Sequence, residues 1–136
     1  MDKATEERLC RAADEAEVRN VIARLAQLAD SDTDDFVEYL SLWTEDAVTI
    51  HPTDTAVGHG AILDRSRELR ERGTQGPGTD TMHVNTTHWV RIDGDVAISR
   101  SYWFYYGNVS QHAPNLRAMG SYDDTLHRTP DGWKLA

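Results

Sequence analysis

Apolar side chains recur along this chain with two different periods, helical in the first half and alternating in the second. From about Ala4 to Ala29, Val18, Val21, Ile22, Leu25, Leu28 and Ala29 fall on one stripe, which predicts a long helix. The acidic stretch DSDTDDF follows. Asp32 or Thr33 suits the cap of a second helix, and Asp34 and Asp35 suit its positive end. That helix, DDFVEYLSLWTED, presents Phe36, Leu40 and Trp43 at helical spacing. AVTIHP reads as a short strand ended by Pro52, and GHGAILDRSRELRERG as a third helix with a glycine at each end. TQGPGTD is a loop by composition.

Beyond the loop the period shortens to two. Strands are predicted over roughly Thr81 to Ile92 and Val96 to Tyr106, joined at DGD, a strong hairpin signal. GNVSQHAPN makes a wider loop, a strand runs from about Leu116 to Arg128, TPDG turns, and WKLA begins a last strand. Three helices with one short strand among them, then an antiparallel meander, predict an α+β fold with helices on one face of a curved sheet. Tyr102, Phe104 and Tyr106 share one face of their strand, and Trp103 and Tyr105 the other. Both faces are therefore expected to be covered, one by helices and the other by a second subunit. In the first long strand, alternation places His83, Asn85, Thr87, Trp89 and Arg91 together, with Val84, His88, Val90 and Ile92 opposite. Its two histidines should then face apart.

Composition narrows the function. A chain of 136 residues holds one domain, and 39% apolar with 27% charged residues excludes a disordered segment. No apolar run approaches the roughly 18 residues of a membrane span, and the charged N-terminus lacks a signal-peptide core, so a cytoplasmic protein is expected. A net charge of −9 without a basic stripe argues against nucleic acid and against anionic membranes. Small molecules or other proteins remain as partners. Cys10 is the only cysteine, which excludes a disulfide framework and a thiolate zinc site. The histidines show no HxH or HExxH spacing, and neither a phosphate loop nor GxSxG occurs, so chemistry without metal or cofactor is expected.

Four pieces carry a family resemblance over roughly Val21 to Leu135: VIARLAQLADSDTDDFVEYLSLWTEDAV, VGHGAI, TMHVNTTHWVRIDGDVAISRSYW and GSYDDTLHRTPDGWKL. In order and spacing they resemble the SnoaL-like branch of the nuclear transport factor 2-like (NTF2-like) superfamily. The resemblance implies a single domain over residues 1–136 with a cone-shaped fold. Its N-terminal helices would pack on a strongly curved, mixed but mostly antiparallel sheet enclosing a deep, mainly apolar pocket. The family includes dehydratases, dehydrochlorinases, isomerases, polyketide cyclases and non-catalytic proteins, among which the fold does not choose. In lyase members such as scytalone dehydratase, a histidine on the long strand takes a proton from carbon. An aspartate ending the first helix orients it. By motif position these are His83 and Asp30. Imidazole titrates near the working pH, and a buried carboxylate fixes its tautomer.

Helical extrapolation puts Asp30 off the apolar stripe, and a carboxylate opposes the dipole at a helix C-terminus. Asp30 turns inward only if the helix unwinds after Ala29. The tyrosine that several relatives carry on the first helix is absent here, with Leu25 and Ala29 in the corresponding places. Tyr39, His51, Tyr102 and Tyr106 are the substitute donors. Thr87 replaces a frequent family asparagine. Tyr122 and Asp124 share one parity of the last long strand. Polyketide cyclases of this branch use a sheet aspartate, which centres an alternative isomerase or cyclase reading on Asp124 or Asp123. Arg128 matches a basic residue near the pocket mouth of some lyases. The resulting expectation is a cofactor-independent lyase or dehydratase acting on a small apolar polyketide-, terpenoid-, steroid- or aromatic-type molecule, assembled as a homodimer or homotrimer. A non-catalytic binding module using the same pocket is the other alternative.

Overall fold

A computed structural model describes residues 1–33 and 36–136. Helix α1 spans Lys3–Ala29, opened by Asp2, whose carboxylate accepts from the Thr5 N–H at 2.9 Å. Its stripe buries Val18, Val21, Ile22 and Leu28, while the first turns stand in solvent. Helix α2 is only Val37–Ser41. The sequence pattern extended it to Asp46, but Leu42–Thr44 leave the helix to pair with the chain's end. Leu135 N–H donates to Leu42 O and Thr44 N–H donates to Leu135 O, both at 2.8 Å. Asp32 and Thr33 lie too far ahead of Val37 to cap it, and Asp34 and Asp35 fall outside the described residues.

Strand β1 (Val48–Ile50) pairs antiparallel with β2 (Thr55–Val57), a strand the sequence pattern did not reveal. Three residues are too few to display alternation. Helix α3 covers Gly58–Glu71. Strands β3 (Thr81–Asp93), β4 (Val96–Gly107), β5 (Asn115–Thr129) and β6 (Gly132–Leu135) form an antiparallel sheet in the order β3-β4-β5-β6, extended by one parallel bridge from Trp43 to Leu135. The helices pack on one face of this sheet, giving the predicted α+β architecture. Ile22, Trp43, Ile62, Val90, Leu126 and Trp133 are at the centre of the core between the layers. Each fully buried aliphatic side chain there contributes about 1.5–3 kcal/mol.

One irregularity decides which side chains face the helices. Thr86 pairs with Tyr102 and Trp89 with Arg100, so β3 advances one residue more than β4 across this interval. The extra residue is a β-bulge, with Thr87 at φ 52°. Below it His83 and Asn85 face the helices; above it His88, Val90 and Ile92 do, while Trp89 turns to the outer face. The two histidines therefore share a face, contrary to strict alternation. A single inserted residue inverts parity for everything beyond it.

A latch holds α1 against the far end of the sheet. Arg128 grips Asp14 bidentately at 2.7 and 2.9 Å, bonds Asp95 at 3.0 Å, and lies 4.5 Å over the Trp133 ring. Glu17 accepts from the Trp133 N–H at 2.9 Å. Gly132, at φ 102°, makes this approach possible, since a Cβ there would meet Glu17 Oε1 at 2.4 Å.

Candidate functional site

β3 is an edge strand, so half of its backbone N–H groups lack a sheet partner. Asp30 supplies one. Helix α1 ends at Ala29, and Asp30 occupies its C-cap at φ −87°, ψ −3°. From there its carboxylate reaches the strand twice: Oδ2 accepts from the His83 backbone N–H at 2.6 Å, and Oδ1 meets His83 Nδ1 at 2.7 Å. Both side chains are partly buried, at 17% and 14% exposure. An ionised carboxylate only accepts, so Nδ1 carries the proton and the Nε2 lone pair is left over.

Two further contacts fix this pair. The Tyr105 ring lies 4.9 Å from the His83 ring, and its hydroxyl donates to Thr74 O at 2.5 Å. Arg70 on α3 donates to Leu28 O at 3.3 Å and Thr33 O at 2.7 Å, tying down the chain on either side of Asp30. It also stacks 4.9 Å from the Phe36 ring. Neither residue was singled out from sequence. Pairs counted back from the DGD turn place Tyr106 opposite His83; the bulge makes the partner Tyr105.

His83 opens onto a cavity of about 720 Å³ between the helices, β1 and the sheet. Ile22, Leu25, Ile62 and Leu69 supply apolar wall, as expected, and Asn85, His51, Arg65 and Gln75 place polar groups within it. Tyr122 and Asp124 enter from β5. The Tyr122 ring stacks 5.8 Å from Trp103, above Gly120, where a Cβ would meet the indole at 2.7 Å. Burial first, then the charge of Asp124 and more weakly that of Asp30, pushes the Tyr122 phenol up to about 12. It is a neutral donor at any working pH. Burial, reinforced by neighbouring Asp123, raises the Asp124 carboxyl to about 6. Tyr39 is likewise raised by burial, with Ser66 opposing. Burial and then Arg65 lower His51, keeping that ring neutral at pH 7.

Of the sequence candidates, the cavity therefore brings together His83, Tyr39, His51, Tyr122 and Asp124, with Asp30 behind His83. Asp123 also reaches its edge. Three candidates lie elsewhere. Tyr102 and Tyr106 belong to the outer parity of β4, with Tyr102 half-exposed, because the inner positions are Ser99, Ser101, Trp103 and Tyr105. Arg128 is not at the pocket mouth but in the latch with Asp14. His88 faces the helices without lining the cavity, and burial lowers its ring pKa.

The family model of the SnoaL-like domain matches residues 10–136. No curated protein matches the chain. Among solved structures, an NTF2-like protein with a cystatin-like fold from Novosphingobium aromaticivorans is 28% identical, covering 98% of this chain and 85% of its own, with a TM-score of 0.76. A candidate scytalone dehydratase from the same species is 18% identical over 91% of this chain and 80% of its own, with a TM-score of 0.69. A candidate dehydratase of the NTF2-like family from Streptomyces avermitilis is 19% identical over 92% and 93%, with a TM-score of 0.68. At such identities the last two speak for the fold alone. With nearly its whole length matched by the family model, the chain belongs to the SnoaL-like domain family of NTF2-like proteins.

Proposed function

We propose that the protein is a cofactor-independent lyase of the dehydratase type, in which His83 is the general base and Asp30 its partner. The observation that carries this reading is the 2.7 Å contact between Asp30 and His83 Nδ1 at the wall of the cavity. Nε2 takes a proton from a carbon next to a carbonyl. The electron pair left on that carbon expels a hydroxyl from the neighbouring carbon as a double bond forms. Asp30 holds the imidazolium through Nδ1–H, which lowers the cost of charging a buried ring. Tyr122 donates to the oxygen on which charge accumulates, taking the place of the first-helix tyrosine that this chain lacks. Asp124, whose carboxyl is raised to about 6 and so holds its proton to higher pH than an ordinary aspartate, gives the departing hydroxyl its proton, so that water leaves.

The test uses the β-hydroxy ketone of the tetralone series, whose loss of water gives naphthol and a change in ultraviolet absorbance. His83→Ala should slow its turnover by about 100- to 10,000-fold, the contribution of a positioned base. Full activity in that variant sinks the assignment. The raised Asp124 carboxyl also favours a second reading, an isomerase or cyclase in which Asp124 is the base. There Asp124→Asn would be the decisive loss and His83→Ala a mild one.

A further inference from the structure

Four buried polar atoms on the cavity wall meet no protein partner among the described residues: Trp43 Nε1, Thr49 Oγ1, Arg65 Nε and Asn85 Oδ1. A buried polar group left unmade is costly, and a cluster of them on one cavity needs a reason. Three of the four come from a second wall of the cavity, built by the exit of α2, by β1 and by α3. Two of those three, the indole and guanidinium N–H groups, are obligate donors that only an acceptor can satisfy. Neighbouring side chains are already engaged or uncharged. Tyr39 is kept a neutral phenol by burial, and His51 is held neutral by burial and by Arg65.

The guanidinium itself is fixed from outside. Arg65 Nη1 is bonded to Asp54 in the β1–β2 turn, where His51 N–H donates to Asp54 O at 2.8 Å. That ion pair holds the plane of the group and leaves its buried Nε–H edge without an acceptor. We propose that this wall is an oxygen-binding subsite in which Arg65 Nε–H, with the Trp43 indole N–H lining the same cavity, anchors a carbonyl or carboxylate oxygen of the ligand. The ligand class follows. It is a compound carrying an oxygen function that meets this wall while another carbon meets His83, rather than a pure hydrocarbon. The inference rests on the proposed function only for which carbon reacts; the subsite is read from binding without turnover.

Equilibrium dialysis with β-naphthoate, methyl β-naphthyl ketone and β-ethylnaphthalene tests it, because the three share a ring system and differ in the oxygen. The protein should bind the two oxygenated probes at least roughly tenfold more tightly than the hydrocarbon, as a charge-assisted hydrogen bond provides. R65M should abolish that preference while leaving β-ethylnaphthalene binding unchanged. D54N loosens the guanidinium but retains Nε–H, so it should reduce the preference without abolishing it. Should R65M not fold, R65K, which keeps the charge but lacks the planar N–H edge, must weaken ketone binding. H83A should retain the preference in full. Equal affinities in the unmodified protein, or a preference that survives R65M or R65K, would overturn the subsite. A preference lost in H83A would overturn it too, by moving the oxygen to His83, and would leave the dyad reading intact.

Discussion

Asp30→Asn changes one atom and tests how the histidine is held. Asp30 accepts two bonds from His83, from the backbone N–H at 2.6 Å and from Nδ1–H at 2.7 Å. An asparagine has one accepting oxygen and one donating nitrogen, so it can serve only one of the two as an acceptor. The backbone N–H cannot give up its proton, whereas the imidazole can change tautomer. The amide oxygen therefore stays on the backbone, its NH₂ faces Nδ1, and the ring proton moves to Nε2. The substitution loses one charge-assisted bond, about 1.5–3 kcal/mol of stability. It also removes the lone pair that faces the substrate. A base in the wrong tautomer forfeits its share of the rate, about 100- to 10,000-fold. Nitrogen-15 chemical shifts of labelled His83 report the tautomer directly, without any substrate. The reasoning predicts Nδ1–H in the unmodified protein and Nε2–H in D30N. A ring that keeps Nδ1–H in D30N would refute it.

Asp124 gives a pH signature. Its carboxyl rises from an ordinary value of 3.8 to about 6 on folding, so stability falls as pH climbs between them and then stays about 3 kcal/mol lower. D124N should consequently stabilise the protein at about pH 8 in urea unfolding and leave it nearly unchanged at about pH 4. Gly132→Ala should cost roughly 1–2 kcal/mol from its left-handed backbone, and more from the clash with Glu17, measured as a lower melting temperature. Arg70→Met removes two bonds to carbonyls beside Asp30 and should cost about 1–3 kcal/mol in urea unfolding. The same variant should speed amide exchange at His83; unchanged exchange would mean that Asp30 is held without it.

Much of the fold can be read from the residues because the period of the apolar positions changes once, near Gly73, and stays consistent on either side. The α1 stripe and the DGD hairpin are local signals strong enough to survive packing. What could not be read depends on partners distant in sequence. Helix α2 stops early because Leu42–Thr44 pair with Leu135, and no local feature announces that. The bulge at Thr87 carries no glycine to mark it, yet it moves His88 to the inner face and exchanges Tyr106 for Tyr105 beside His83. Asp30 looked like one more acid in a capping loop. Its position became meaningful only through the resemblance, since its partner lies 53 residues downstream on an edge strand. Arg65 is one of several arginines along α3, and only the cavity sets it apart by placing its Nε on a wall.

The central claim is that His83 removes a proton from carbon inside this cavity. Proton NMR of β-tetralone, an enolisable ketone, incubated with the protein in heavy water tests this most directly, because deuterium entering beside the carbonyl counts each proton abstracted. The account predicts incorporation faster with the unmodified protein than with H83A by about 100-fold or more. Equal incorporation rates in the two would contradict it.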